Sequence, residues 1–157
     1  MQKITPFLWF VDQAEEAVAF YTRIFKDAGI DSVSRYGEGG PMPAGMVMTV
    51  AFQLAGQDFV ALNGGPYFTF TPAISFYVSC ETQAEVDAYW EQLSAGGEKQ
   101  QCGWLKDKYG VSWQIVPRVL GELLGDPDPE KARRVTQAML QMTKLDIAAL
   151  LTAYEQD

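Results

Sequence analysis

Ile74-Ser75-Phe76-Tyr77-Val78-Ser79-Cys80, followed by Thr82-Gln83-Ala84-Glu85, is the stretch that decides the fold of this chain. Its apolar and hydroxyl-bearing side chains alternate, which is typical of a strand with one face in a core. Thr82 and Glu85 have the spacing of a capping box, so a helix is predicted to begin directly after the strand. The stretch therefore predicts a strand that leads into a helix.

The same unit occurs earlier in the chain. Asp12-Gln13-Ala14-Glu15 has the same capping-box spacing, which predicts Asp12 as a helix cap. It stands 70 residues before Thr82-Gln83-Ala84-Glu85 and also follows an apolar run, Ile4 to Val11. Self-similarity at a fixed offset indicates two copies of one supersecondary unit. Shorter strand-like stretches separated by turn signals follow each helix, at 32–36, 46–54 and 57–63 in the first copy and at 100–104 and 111–116 in the second. Each copy is therefore interpreted as β-α-β-β-β.

These patterns predict an α+β fold in which two βαβββ repeats form a concave mixed sheet, with helices at the C-terminus. The expected domain covers residues 1–117, with repeats of about 1–66 and 72–117. Residues 118–157 are expected to form a C-terminal helical extension.

The extension carries its own helix signals. Asp128 is the expected N-cap and Pro129 the first helical residue of a helix that runs to about Met142. The apolar stripe of this helix includes Val135 and Met139. We expect the extension either to cap the domain or to contact a second subunit.

Composition excludes several classes of partner. The 157 residues carry 12 Lys and Arg against 20 Asp and Glu, and a net charge of −8 repels phosphate backbones. No apolar run approaches the ~20 residues that span a bilayer, and the first residues lack the apolar segment of a signal peptide. We therefore expect no nucleic-acid partner, no membrane association and a cytoplasmic location.

The chain contains no histidine. This removes the commonest metal ligand, the commonest general base and every Ser-His or Cys-His pair. Cys80 and Cys102 are too few for a disulfide framework or a four-cysteine zinc site, so both are expected to be free thiols. Glu38 and Asp107 are isolated loop carboxylates, which are expected to be solvated. No catalytic residue is assigned.

Strand alternation predicts a small-molecule site on the sheet face opposite the helices. If Ile74, Phe76 and Val78 pack under the second helix, the residues between them project from the other face. A wettable sheet face with amide and hydroxyl groups is suited to a small organic ligand. The candidate ligand-binding residues on these strands are Ser75, Tyr77, Gln114, Thr49 and Gln53. Asn63 is a further candidate, in the loop Asn63-Gly64-Gly65-Pro66, which is interpreted either as an anion-binding loop or as a tight turn between the repeats.

Several motifs resemble a known family. They are Phe10-Val11-Asp12 through Ala19-Phe20-Tyr21, the turn Asp107-Lys108-Tyr109-Gly110, and the stretches 4–10, 35–41, 62–66 and 101–108. With the repeat, the chain resembles the vicinal oxygen chelate superfamily, which includes glyoxalase I and bleomycin-resistance proteins. Within it, the chain is similar to the PhnB-like group often labelled 3-demethylubiquinone-9 3-methyltransferase. The resemblance implies the glyoxalase fold and, since relatives of this fold commonly pair, a homodimer.

The resemblance also implies where a metal would be held. In metal-dependent relatives four strand positions, usually His, Gln or Glu, supply the ligands. The corresponding positions here are Pro6, Val60, Ser75 (Phe76 if the 70-residue offset is applied strictly) and Gln114. Only Gln114 carries a suitable donor, and one neutral amide does not complete the ligand shell of a transition metal. We therefore expect no bound metal and no cofactor.

The methyltransferase label makes a separate prediction. A nucleotide-type methyl donor on a Rossmann sheet needs a glycine-rich turn that opens a helix. Gly37-Glu38-Gly39-Gly40 is followed instead by Pro41-Met42-Pro43, which does not open a helix. These glycines are interpreted as turn residues.

The preferred hypothesis is a PhnB-like glyoxalase-superfamily protein that binds a small organic molecule without a metal. Two alternatives stay open: a metal-dependent lyase, isomerase or dioxygenase of the same superfamily, and a non-catalytic assembly module that uses the C-terminal helices. Whether the chain is an enzyme is also left open, because one fold hosts many chemistries.

Overall fold

The structure, a computed structural model, describes residues 2–156, which divide after Phe70 into two compact units. The first unit contains β1 (Phe7–Phe10), α1 (Ala14–Ile24), β2 (Ala28–Arg35), β3 (Val47–Leu54) and β4 (Gln57–Asn63). Its four strands form one mixed sheet in the order β1-β4-β3-β2. The β1–β4 pair is parallel and the other two pairs are antiparallel.

The second unit repeats this arrangement and then adds helices. It contains β5 (Ser75–Cys80), α2 (Gln83–Ser94), β6 (Glu98–Lys99), β7 (Trp104–Lys106), β8 (Ser112–Pro117), α3 (Arg118–Leu124), α4 (Pro129–Leu140) and α5 (Ile147–Glu155). The strand order is β5-β8-β7-β6, with β5 and β8 parallel. The predicted α+β class, the two repeats and the C-terminal helices are confirmed. The predicted division at residue 117 stays a prediction.

The core of the first unit lies between α1 and one face of its sheet. Val50, Phe52 and Leu54 are buried at alternate positions of β3, as the alternation predicts. The Phe52 ring stacks on Tyr21 of α1 with ring centroids 6.4 Å apart. The opposite face of the sheet is not covered by this helix.

The beginning of α1 differs from the prediction. The helix begins at Ala14 after Gln13, whose side chain makes no capping hydrogen bond. The Ala14 N–H instead donates to Oδ1 of Asn63, at the end of β4, over 2.8 Å. The predicted cap at Asp12 is therefore wrong, because a side chain distant in sequence supplies the acceptor. In the second repeat the predicted cap is confirmed: the Thr82 side chain accepts from the Glu85 N–H.

The second unit buries the matching face of its sheet under α2. Val86, Trp90 and Leu93 of α2 are buried, and so are Leu105 and Trp113 of the sheet. Ile74, which was expected under the helix, is 74% exposed. That expectation is wrong because β5 begins one residue later, at Ser75.

Asp107 organises the turn that joins β7 to β8. Its side chain is buried, with 2% of the residue exposed, and Oδ1 accepts hydrogen bonds from the backbone N–H groups of Tyr109 and Val111 at 2.9 and 3.0 Å. Oδ2 accepts from the Trp113 indole N–H at 2.9 Å. The expectation of a solvated carboxylate is wrong here, because the turn folds back over the side chain and satisfies it locally.

The extension packs as a small helical core in the second unit. α4 begins at Pro129 with Asp128 as its cap, as predicted, whereas α3 was not predicted. Val135 is fully buried in a cluster with Leu120, Leu145 and Leu150, and Met139 and Met142 pack against it. The predicted apolar stripe is therefore used within the chain. No helix among residues 2–156 is long and apolar enough to cross a membrane.

Gly64 is predicted to be required by the position of Trp9. A Cβ added at Gly64 would lie 2.4 Å from two carbon atoms of the Trp9 ring, which is fixed by a 2.9 Å hydrogen bond from Nε1 to the Gly65 carbonyl. Gly64→Ala should lower the free energy of unfolding by about 1–3 kcal/mol, measured by urea denaturation. Gly37→Ala is the matched control, because a Cβ there meets nothing within 4 Å. Equal midpoints for the two variants would contradict the close contact.

Asp107→Asn tests the turn. In the wild type, three N–H groups donate to the two carboxylate oxygens of Asp107. The substitution replaces one of these oxygens by an amide NH2 group, which cannot accept, so the free energy of unfolding should fall by about 1–3 kcal/mol. Glu38→Gln, the same chemical change at an exposed loop carboxylate, should have no measurable effect. Thermal and urea unfolding of both variants measure the difference. An Asp107→Asn variant as stable as the wild type would mean that the buried bonds do not hold the turn.

Candidate functional site

The sheet face of the second unit that lies opposite α2 presents two rows of side chains. In one row Gln114 of β8 is the register partner of both Tyr77 on β5 and Trp104 on β7. In the next row Ser112 is the partner of both Ser75 and Lys106. Register partners on neighbouring strands project from the same face. We call the face that carries these six residues the open face of the second sheet.

A hydrogen bond links the two rows. Nε2 of Gln114 donates to Oγ of Ser75 over 2.9 Å, in a partly buried position. This bond fixes the Gln114 amide at the centre of the face, with the Tyr77 and Trp104 positions on either side. The structure thus brings three predicted site residues together, Ser75, Tyr77 and Gln114. That they bind a ligand stays a prediction.

Tyr77 and Cys80, on β5, are both neutral side chains at neutral pH. The pKa of Tyr77 is raised above its usual value, chiefly by partial loss of hydration and secondarily by Cys80. Burial, followed by the charge of Glu85, raises the pKa of the Cys80 thiol to about 12. Tyr77 therefore keeps a phenol proton for donation, and Cys80 is not a nucleophile. Both cysteines are free thiols, as expected.

Thr49 and Gln53 occupy the equivalent face of the first unit. Thr49 is the register partner of Leu62 and of Ser34, and its hydroxyl forms a hydrogen bond with the Ser34 hydroxyl. Gln53 lies two residues after Ala51 in β3 and is the register partner of Asp58 on β4. Both predicted residues are partly exposed, on the side of β3 away from its buried positions.

Asn63 lies on the other side of its strand. It is 1% exposed and follows Phe59 and Ala61 on the core side of β4, so the structure does not bring it to the face of Thr49 and Gln53. Besides capping α1, its Nδ2 donates to Glu15 Oε1 at 2.9 Å and to the Val47 carbonyl at 3.0 Å. The amide is committed to the fold, and alternation with Phe59 and Ala61 is the sequence signal for that role.

The four positions that correspond to metal ligands do not fit a metal. Pro6 and Val60 have no donor atom in their side chains, and Ser75 and Gln114 offer a hydroxyl and an amide that are bonded to each other. Within residues 2–156, no three His, Cys, Asp or Glu side chains are placed to hold a metal ion. The expected absence of a metal and of a cofactor stays an expectation.

Sequence reasoning did not assign Trp104 or Lys106 to this face. The signal is the short alternation Trp104-Leu105-Lys106, in which Leu105 is fully buried in the core. Because side chains alternate along a strand, burial of Leu105 places its two neighbours on the opposite side. A strand of only three residues carries too short a pattern to be recognised from sequence.

Comparison with known proteins agrees with the fold. Among solved structures, a PhnB protein from Bacillus cereus, named as a candidate 3-demethylubiquinone-9 3-methyltransferase, is 44% identical, with a TM-score of 0.68, and covers 74% of this chain and 99% of its own. Protein PA1353 from Pseudomonas aeruginosa is 20% identical, with a TM-score of 0.63 and coverage of 74% and 98%. The fosfomycin resistance protein FosX from Listeria monocytogenes is 19% identical, with a TM-score of 0.54 and coverage of 78% and 97%. The last two show the fold alone.

The family assignment rests on most of the chain. A search of curated proteins returned no match. Residues 2–116, which include both repeats, match the family model described as 3-demethylubiquinone-9 3-methyltransferase. Together with the identity to the Bacillus cereus PhnB protein, this match shows that the chain belongs to the 3-demethylubiquinone-9 3-methyltransferase-like (PhnB) family.

Proposed function

We propose that this protein binds a small organic molecule on the open face of the second sheet, through hydrogen bonds and without a metal ion. The observation that carries the proposal is the Gln114–Ser75 hydrogen bond, which orients a carboxamide between Tyr77 and Trp104. An oriented amide between two aromatic side chains is typical of small-molecule sites, where apolar area gives affinity and a few polar groups give orientation.

Metal independence follows from the donor set. A divalent metal of the kind that the superfamily uses needs several anionic or imidazole donors, whereas this face offers hydroxyls, one amide and one ammonium group. Thr49 and Gln53 offer the same neutral chemistry on the sheet of the first unit, and we propose that they contact a ligand there. A cytoplasmic location belongs to the same proposal and is supported by the two free thiols.

We do not propose methyl transfer from a nucleotide-type donor. Gly37-Glu38-Gly39-Gly40 lies in the loop between β2 and β3 and is followed by turns and then by a strand, so no helix N-terminus is present there for a phosphate or a nucleotide.

The second proposed property is association into a homodimer. Large apolar side chains of the first unit support it by their exposure: Phe7, Ile30, Val33, Tyr67 and Phe68.

Gln114→Leu is the test of the site. A ligand is first identified by native mass spectrometry of the gently purified protein or by a thermal-shift screen of small organic molecules. Loss of the amide should then weaken its binding by about 1–3 kcal/mol, measured by calorimetry. Gln57→Leu, the same substitution at an exposed amide of β4, should leave the affinity unchanged. Equal affinities for wild type and Gln114→Leu would contradict the site.

Metal analysis of the same preparation tests the second half of the proposal. We expect no stoichiometric transition metal, measured by inductively coupled plasma mass spectrometry, because the four corresponding positions lack a sufficient donor set. One tightly bound ion per chain, lost together with ligand binding on chelation, would establish the metal-dependent alternative instead.

Light scattering tests the dimer. At micromolar concentration the protein should have twice the 17.4 kDa mass of the chain, because two-fold pairing removes exposed apolar side chains from water. A dilution series gives the dissociation constant. A measured mass equal to that of one chain, at protein concentrations up to tens of micromolar, would contradict the proposal.

A further inference from the structure

Lys106 places a single cationic group on the open face of the second sheet. Leu105, its neighbour in β7, is fully buried on the α2 side, so Lys106 projects from the face that carries Gln114. Its register partner is Ser112, whose other partner is Ser75. Adjacent strands are about 4.8 Å apart. Lys106, Ser112 and Ser75 therefore form a row across three strands, in which Ser112 is buried and Lys106 and Ser75 are partly exposed.

Lys106 forms no ion pair within residues 2–156. The ion pairs found among residues 2–156 engage Lys99, Arg118, Arg133 and Lys144, and none engages Lys106. Its register partner on the edge strand β6 is Glu98, an exposed side chain that forms no ion pair in the described part of the chain. In a chain of net charge −8, an unpaired cation on a partly buried face favours an anionic occupant.

The neighbouring row supplies the rest of the recognition. Tyr77 and Trp104 present aromatic surface on either side of the Gln114 amide, and aromatic side chains pack well against flat, conjugated molecules. Apart from Glu98 at the edge, the rows contain no acidic side chain that would repel an anion. One end of the face is thus cationic and hydroxylic, and the other is aromatic.

From this arrangement we infer that the ligand is an aromatic carboxylate whose carboxylate group pairs with Lys106 and the Ser75 hydroxyl, while its ring packs between Tyr77 and Trp104. This inference rests on the proposed function and names its ligand class. A charge-assisted hydrogen bond to an ammonium group is stronger than a neutral one, so the carboxylate sets the affinity. Gln114 then holds the ring side of the ligand.

Binding of two matched probes, 2-naphthoate and its uncharged amide 2-naphthamide, tests the inference in a titration followed by NMR or tryptophan fluorescence. The wild-type protein should bind the carboxylate about tenfold more tightly than the amide. Lys106→Gln should remove that preference and leave the affinity for the amide unchanged. Glu98→Gln should strengthen carboxylate binding, because it removes the negative charge of the register partner of Lys106. Lys26→Gln, at an exposed lysine of the first unit, is the control and should change nothing.

Three results would overturn the inference. Equal binding of both probes, with both weakened by Gln114→Leu, would leave the proposed function standing and remove the role of Lys106. If Lys106→Gln weakened the binding of both probes equally, the lysine would support the fold of the face and would not recognise the charge of the carboxylate. Failure of the wild type to bind either probe would exclude aromatic carboxylates. The proposed function fails separately, if Gln114→Leu leaves the affinity for the ligand found by mass spectrometry or screening unchanged.

Discussion

The two-residue period of a strand is the constraint on which the rest of this structure depends. Each repeat has one helix packed on its sheet, so only alternate residues of β3, β5 and β8 enter that core. The remaining residues must face away from the helix whatever their chemistry. That is why hydroxyl and amide side chains collect on one face without any local sequence motif, and why a shift of one residue would exchange the core with the site.

Two buried polar side chains hold this arrangement in place. Asn63 joins the beginning of α1 to β3 through hydrogen bonds to Ala14, Glu15 and Val47. Asp107 holds the β7–β8 turn and with it the register that places Trp104 beside Gln114. A buried polar group is costly unless every bond is made, so each of the two also specifies one conformation of its surroundings. Asn63 thus fixes the backbone of the first unit, and Asp107 fixes the backbone of the second unit, which carries the candidate site.

Much of the fold was predictable from sequence because its signals are local. The alternation in β5, the capping pair Thr82 and Glu85, and the Asp128-Pro129 start of α4 each lie within a few residues, and the structure confirms all three. The 70-residue offset then revealed the second copy of the unit. Where the prediction failed, the partner is distant in sequence or the element is short. The cap of α1 comes from Asn63, and β7 has only three residues.

The candidate site was predictable only in part, for the same physical reason. Alternation in strands of six residues predicted Ser75, Tyr77 and Gln114, which the structure places on one sheet face. Asn63 was predicted from its loop, and the structure bonds its amide within the core instead. Lys106 was not predicted from the sequence, because its proposed role depends on the residues that neighbouring strands place beside it. A lysine in an exposed loop is ordinary, whereas Lys106 lies opposite Ser112 on the open face of the second sheet, in a chain of net charge −8.

One strand framework can support different ligand chemistry, because the side chains that meet on it decide what is bound. The fold fixes where side chains from β5 and β8 meet, and at that place a metal needs anionic or imidazole donors. Here a serine and a glutamine meet, and they satisfy each other with one hydrogen bond. A neutral pair of this kind holds its geometry without a cation, so the charge that recognises a ligand has to come from another strand. In this chain β7 supplies it, through Lys106.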